Sequence, residues 1–180
     1  MTNDVSRLLQ AANFAARKHQ KQRRKNVEAS PYINHPLAVA YVLANEGNVI
    51  DADLLIAAVL HDTIEDTETS LDELKELFGE DAAKLVSEVT DDKSLPKERR
   101  KQLQVENAPL KSDRAKQLKM ADKICNIRDI NTESPANWDQ DRKAKYLDWA
   151  VSVIAGCRGV NDQLEQRFDE AIEDARGRLL

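Results

Sequence analysis

The sequence has 180 residues, of which 41% are hydrophobic and 33% charged, and its formal net charge is −5. This composition predicts a globular protein with one core, and its negative charge argues against general binding to nucleic acid. The longest apolar run has seven residues and is too short to span a bilayer. Cys125 and Cys157 lack metal-ligand spacing and indicate reduced thiols. We expect a cytoplasmic protein that binds neither nucleic acid nor membrane, with protein partners left open.

Apolar residues recur at helical spacing along nearly the whole chain, and alternating strand patterns are absent. A first helix is predicted over residues 5–19, "VSRLLQAANFAARKH". A second, over residues 35–47, has Pro36 near its start and Gly47 at its end, as is usual for helices. The segment "DADLLIAAVLHD", residues 51–62, opens with acids and is apolar all round, which predicts a central, buried helix.

The later helices are marked by their termini. Ser70 and Glu73 have the spacing of a capping box, and Gly79 ends that helix. Periodicity predicts further helices over residues 80–89, 96–107, 114–130, 141–158 and 161–178. The predicted fold class is therefore all-α, a single compact helical bundle over residues 1–180. Either an orthogonal or an up-and-down arrangement fits the pattern.

The stretch "HDTIEDTETS", residues 61–70, places one histidine and four acids at the end of the buried helix. Crowded carboxylates repel one another unless a cation joins them. His61 alone would be typical of a helix end, where it balances the helix dipole. A continued helical turn, however, places Glu65 and Asp66 four residues after His61 and Asp62, on one surface. A metal ion is the cation that this arrangement predicts.

Two further candidates lie elsewhere in the chain. His35 stands at a predicted helix start, and Asp122 lies beside the apolar stripe of the segment "QLKMADKICNIRDI". A carboxylate half in a core needs a partner. His19 lies in a basic run, and we expect it at the surface or behind the site, with no role as a metal ligand.

The pattern formed by His35, His61–Asp62 and Asp122 resembles that of the HD superfamily of metal-dependent phosphohydrolases. The strings "RRK…PYINHP", "HDTIEDT", "EVTDDKSLPKERR" and "KMADKICNIRDI" resemble the hydrolase domain of the RelA/SpoT family. The whole chain is similar to the stand-alone small alarmone hydrolases, including the animal SpoT-like form. The resemblance implies one divalent ion, usually Mn²⁺, held by these four residues. The donor types alone suit Mn, Fe, Co or Zn.

The resemblance also implies catalytic and substrate-binding residues. Glu65 and Asp66 would orient or deprotonate the attacking water, with Asp66 nearer to it, whereas Glu68 is expected to be solvated. A polyanionic substrate needs basic residues near this acidic site, and residues 17–25 and 93–101 are basic runs. The implied substrate contacts are Arg24, Lys25, Lys97, Asn126, Arg142 and Tyr146. Trp138 and Trp149 are expected to pack in the core or hold loops.

The reaction that the resemblance implies is removal of the 3′-pyrophosphate from ppGpp and pppGpp, with release of pyrophosphate and GDP or GTP. The partner would be a small nucleotide. Three alternatives remain open: an NADPH 2′-phosphatase, a hydrolase of an adenosine alarmone, and a nucleotide-sensing module without turnover. An HD phosphohydrolase for another nucleotide is disfavoured, because the matching strings extend beyond the shared HD core.

Overall fold

The structure, a computed structural model, describes residues 3–132, 135 and 137–179. Within these residues all regular elements are helices, as predicted, and the only strand-like pairing is one isolated bridge between Arg23 and Pro31. The α-helices are α1 (Asp4–Lys18), α2 (Asn34–Tyr41), α3 (Ala52–Leu60), α4 (Thr63–Asp66), α5 (Leu71–Phe78), α6 (Glu80–Val89), α7 (Lys97–Asn107), α8 (Asp113–Thr132), α9 (Gln140–Ala155) and α10 (Asp162–Gly177).

Side-chain caps fix where several helices begin. The carboxylate of Asp51 accepts the Leu54 N–H at 3.1 Å and starts α3, and Ser70 Oγ accepts the Glu73 N–H at 3.1 Å and starts α5. The predicted capping box is only half formed, because the Glu73 carboxylate binds Lys18 Nζ at 3.0 Å. Helix α5 ends at Gly79, whose φ of 93° favours glycine.

Helix α3 is the central element, as its apolar sequence predicts. It packs against α1, α2, α6 and α8, and the residues from Ile56 to Leu60 are all buried. Helix α8 in turn packs extensively on α10. Cys125 and Cys157 are free and buried. In the described part of the chain no helix has both the length and the apolar character needed to cross a membrane.

Two helices differ from their predicted form. The predicted helix over residues 35–47 is α-helical only to Tyr41 and continues as a π-helix over Val42–Glu46. The predicted helix over residues 51–62 ends at Leu60, and His61 and Asp62 form a corner before α4. The Asp66 N–H still bonds to the Asp62 carbonyl at 2.9 Å, so the expected helical turn exists after the corner. His61 and Asp62 therefore lie at the end of a buried helix.

Replacement of a core isoleucine tests the central position of α3. Ile56 has an exposed fraction of 0%, whereas that of Ile50 is 97%. We expect Ile56→Ala to lower the free energy of unfolding by about 2–5 kcal/mol, because it leaves a cavity. Urea unfolding measures the change, with Ile50→Ala as the matched control. Equal losses in the two variants would contradict the burial of α3.

Candidate functional site

The four predicted metal ligands come from three helical elements and meet at one point. His35 lies in the first turn of α2, His61 and Asp62 form the corner after α3, and Asp122 lies in α8. His35 Nε2 is 3.2 Å from Asp122 Oδ1, and His61 Nε2 is 3.1 Å from Asp62 Oδ2. Ligand atoms of His35, His61 and Asp62 all lie within 4.8 Å of one another. Asp122 Oδ1 lies beside this group, 3.2 Å from His35 Nε2 and 3.9 Å from His61 Nε2.

The orientation of the His61 ring fits a metal ion. Its Nδ1 donates a hydrogen bond to the Ala58 carbonyl at 2.7 Å, which leaves Nε2 directed at the two carboxylates. This Nε2 is buried and has no hydrogen-bond partner among the residues that the structure describes. Its 3.1 Å approach to Asp62 therefore lacks hydrogen-bond geometry. Two imidazoles and two carboxylates around such a nitrogen form a suitable donor set for a divalent cation.

The pKa shifts of the cluster residues also fit a site for a divalent cation. Burial lowers the pKa of His61, but the carboxylates of Asp62 and Asp122 outweigh it and raise the pKa to about 9. Burial would raise the pKa of Asp122, yet Lys123 and the two imidazoles hold it well below its usual range. A proton on His61 and a metal ion would compete for the same nitrogen, so metal affinity is expected to rise with pH.

Three further side chains hold the carboxylate ligands in place. The Tyr32 hydroxyl donates to Asp62 Oδ2 at 2.6 Å, and Lys123 Nζ donates to Asp122 Oδ2 at 2.8 Å. Asn126, predicted as a substrate contact, donates to Asp122 Oδ1 at 2.6 Å. Neither Tyr32 nor Lys123 was predicted as a site residue. Tyr32 lies inside the quoted string "PYINHP", and Lys123 follows Asp122 directly.

The predicted catalytic acids lie on α4, beside the metal cluster. Asp66 Oδ2 accepts from Gln22 Nε2 at 2.8 Å, and its Oδ1 binds Lys93. Glu65 accepts the Asp91 N–H at 3.2 Å. Burial raises the pKa of Glu65, although the Asp91 N–H opposes this rise.

Two cations lie close to Glu65, and Glu68 is the next acid along the chain. Lys93 Nζ and an Arg100 guanidinium nitrogen lie 3.8 and 3.7 Å from the Glu65 carboxylate. Neither cation was singled out from the sequence, although both lie in the basic run over residues 93–101. Glu68 is exposed, as expected. The pair therefore consists of two partly buried carboxylates whose positions are fixed from several sides.

A cavity of 830 Å³ adjoins the cluster and is lined by His35 and Asp66 from the site. Four of the six predicted substrate contacts line it as well: Arg24, Lys25, Asn126 and Tyr146. Burial raises the pKa of Tyr146 to about 12, so its hydroxyl stays protonated at neutral pH. A nucleotide has the size and polarity that such a cavity accommodates.

The other two predicted substrate contacts lie outside the lining. Arg142 is exposed but stacks on Trp138, which does line the cavity, at 4.7 Å from the ring centroid. Lys97 is exposed at the start of α7 and is not among the described lining residues. Trp149 packs against the core, as expected, and donates to the Lys101 carbonyl at 3.1 Å.

Comparison with known proteins adds to this geometry. Residues 11–148 match the HD domain. This chain belongs to the HD domain family. It is 49% identical over 174 residues to a Xenopus tropicalis protein, with 97% of each chain covered, and 52% identical over 166 residues to a human protein, with 92% and 93% covered. Both relatives are named guanosine-3′,5′-bis(diphosphate) 3′-pyrophosphohydrolase MESH1.

A solved structure shares the HD-domain fold over the whole chain. It is described as a metazoan ortholog of SpoT that hydrolyzes ppGpp and plays a role in starvation responses. Its TM-score is 0.92 and its identity 43%, and the match covers 100% of both chains. Hydrolases with an HD domain bind a divalent metal, and the group formed by His35, His61 and Asp62 can hold one.

Removal of one ligand tests the metal centre. We expect His61→Ala and Asp122→Ala to abolish stoichiometric binding of a divalent cation, because each removes a buried donor that the others cannot replace. Metal content after dialysis and the thermal shift on cation addition measure this loss. Asp72→Ala, at an exposed position of α5, is the matched control. Retained binding in both ligand variants would contradict the assigned centre.

Proposed function

We propose that this HD-domain protein removes the 3′-pyrophosphate of ppGpp and pppGpp, releasing pyrophosphate and GDP or GTP, with Mn²⁺ as its cation. The observation that carries this proposal is the meeting of three features. These are the His/Asp cluster, the acid pair on α4 and a cavity of 830 Å³ lined by Arg24 and Lys25. The names of relatives about half identical over nearly the full chain support the same substrate.

In this mechanism His35, His61, Asp62 and Asp122 would hold the cation. When bound, the cation supplies Lewis acidity, which stabilises phosphoryl charge and acidifies the attacking water. Asp66 orients that water, and Glu65 beside it takes up a proton. The raised pKa of Glu65 suits a general base, because proton transfer is most effective near the working pH. The water oxygen bonds to phosphorus as its proton passes to Glu65, and the bond from phosphorus to the ribose 3′ oxygen breaks. That oxygen takes a proton from solvent, and Glu65 returns its proton to solvent, so the carboxylate is restored.

Basic residues in the cavity offset the charge of the substrate. Arg24 and Lys25 lie on the loop between α1 and α2, where their cations would meet the phosphates. Arg24 also lies over the ring of Tyr32, at 5.6 Å from its centroid, so its guanidinium plane is already supported. Asn126 and Tyr146 would contact the nucleoside from α8 and α9. Contacts from Lys97 and Arg142 stay predictions.

The proposal also covers the domain organisation and the cellular location of the protein. A single domain over residues 1–180 is in keeping with the one continuous core that the described helices share. The two free, buried thiols are in keeping with a cytoplasmic location.

Parallel assays of two nucleotides test the substrate. We expect Mn²⁺-dependent release of pyrophosphate from ppGpp, lost on chelation, to be much faster than release of phosphate from NADPH under the same conditions. Phosphate release from NADPH without turnover of ppGpp would keep the metal chemistry but overturn the substrate. No turnover of either nucleotide, with Mn²⁺ bound, would favour a nucleotide-sensing module.

Neutralising the acid pair tests its catalytic role. We expect Glu65→Gln combined with Asp66→Asn to lower kcat at least about 100-fold, because the variant can neither orient the water as well nor accept its proton. Metal content should stay at the wild-type level, since neither residue is an assigned ligand. Glu68→Gln is the matched control at an exposed position. Loss of the metal in the double variant would show that the acids support the cluster instead.

A further inference from the structure

The catalytic carboxylate of Asp66 is the end of a chain of hydrogen bonds that begins at a buried histidine. His19 is the C-terminal cap of α1, and only 2% of it is exposed, so of the two expected positions it has the one behind the site. Its Nδ1 lies 2.7 Å from Gln22 Oε1, and Gln22 Nε2 lies 2.8 Å from Asp66 Oδ2. Neither His19 nor Gln22 has a role in the reaction described above.

The chemistry of the three groups allows only one direction for this chain. An ionised carboxylate has no proton to give, so the amide nitrogen of Gln22 must face Asp66. The Gln22 oxygen then faces His19, and Nδ1 of His19 must be the donor. The chain is therefore a fixed sequence of His19 Nδ1–H to Gln22 Oε1 and Gln22 Nε2–H to Asp66 Oδ2.

The same histidine is also connected to the metal ligands. Its ring packs on Tyr32 with 4.9 Å between ring centroids, and the Tyr32 hydroxyl donates to Asp62. The end of α1 thus contacts the candidate metal centre through Tyr32 and the acid pair through Gln22. Because both connections start from one buried side chain, they fix the position of Asp66 relative to Asp62.

The other contact of Asp66 is a weaker constraint. Lys93 binds its second oxygen, but 47% of the lysine side chain is exposed, so solvent and salt screen the pair. A flexible, exposed ammonium attracts a carboxylate without setting its plane. The amide of Gln22, which is held by buried His19, sets the orientation of the Asp66 carboxylate.

We infer that His19 and Gln22 are positioning residues that hold Asp66 in the orientation needed to direct the attacking water. This inference rests on the proposed function, because it assigns the pair a role in the hydrolysis of ppGpp. Displacement of a catalytic group by an ångström is enough to lower a rate strongly.

Alanine substitution at Gln22 is the first test. We expect Gln22→Ala to lower kcat for ppGpp by about 10- to 100-fold at unchanged Mn²⁺ content. Gln20→Ala, two residues away and exposed, is the matched control with wild-type kcat. Equal kcat in Gln22→Ala and Gln20→Ala would overturn the inference.

Substitutions at His19 separate positioning from substrate binding. Gln22 lines the cavity, whereas His19 does not, so His19 variants should change kcat and leave KM near the wild-type value. His19→Phe keeps a ring against Tyr32 but has no donor, and we expect it to lose as much kcat as Gln22→Ala. His19→Asn places an amide donor near the Nδ1 position and should restore part of kcat. A rise in KM at constant kcat in His19→Phe would overturn the positioning role.

The histidine tautomer gives a measurement that does not depend on turnover. Nitrogen-15 NMR of the protein with diamagnetic Mg²⁺ should show His19 protonated at Nδ1, and Gln22→Ala should change that signal. A His19 with the proton only on Nε2 would overturn the inference even if the enzyme is active. A wild-type protein with this tautomer but without turnover of ppGpp would instead overturn the proposed function.

Discussion

Repulsion between carboxylates is the constraint around which this site is built. Asp62, Glu65, Asp66 and Asp122 converge at the end of one buried helix, and their charges would destabilise the fold if nothing opposed them. Each carboxylate has its own positive or hydrogen-bonding partner. Asp122 binds Lys123, Asp62 binds Tyr32 beside His61, Glu65 accepts the Asp91 N–H, and Asp66 lies between Lys93 and Gln22. A divalent cation would add the charge that two of these acids share with His35 and His61.

The turn between α3 and α4 contributes two of the candidate metal ligands. His61 and Asp62 both keep φ and ψ in the right-handed helical region, so the chain passes from α3 into α4 without an extended residue. The turn at these two residues brings Asp62 Oδ2 to 3.1 Å from His61 Nε2. The helical turn from Asp62 to Asp66 then returns the acid pair to the same side. Because α3 is buried and packs on four other helices, the candidate ligands at its end are held in place by that packing.

The sequence predicts most of the helices, because they depend on short-range patterns. Helices follow from periodicity and caps, and spacing within "HDTIED" places His61 and Asp62 near the acid pair. His35 and Asp122 were joined to them by the resemblance to the HD superfamily. The supporting residues depend on packing between distant segments. Gln22 is 44 positions from Asp66, and nothing local distinguishes it from Gln20. Among the lysines of the run 93–101, spacing alone cannot show that Lys93 is the one that reaches the acids. The contact of Asn126 with Asp122 could be predicted from the sequence, because residues four apart lie on the same face of a helix.

The cavity explains how an acidic protein can accept a polyanion. The overall charge of −5 matters less than the charges that line the binding site. Arg24 binds Asp129 of α8 and lies 3.4 Å from the Asn126 oxygen, so a predicted phosphate or base contact already has an anionic partner. A nucleotide phosphate would exchange one anion for another at Arg24, which avoids leaving a partly buried guanidinium unpaired in either state. Asp129, once released, would present a carboxylate at the cavity wall, where it favours a ligand with hydrogen-bond donors over one with acceptors alone.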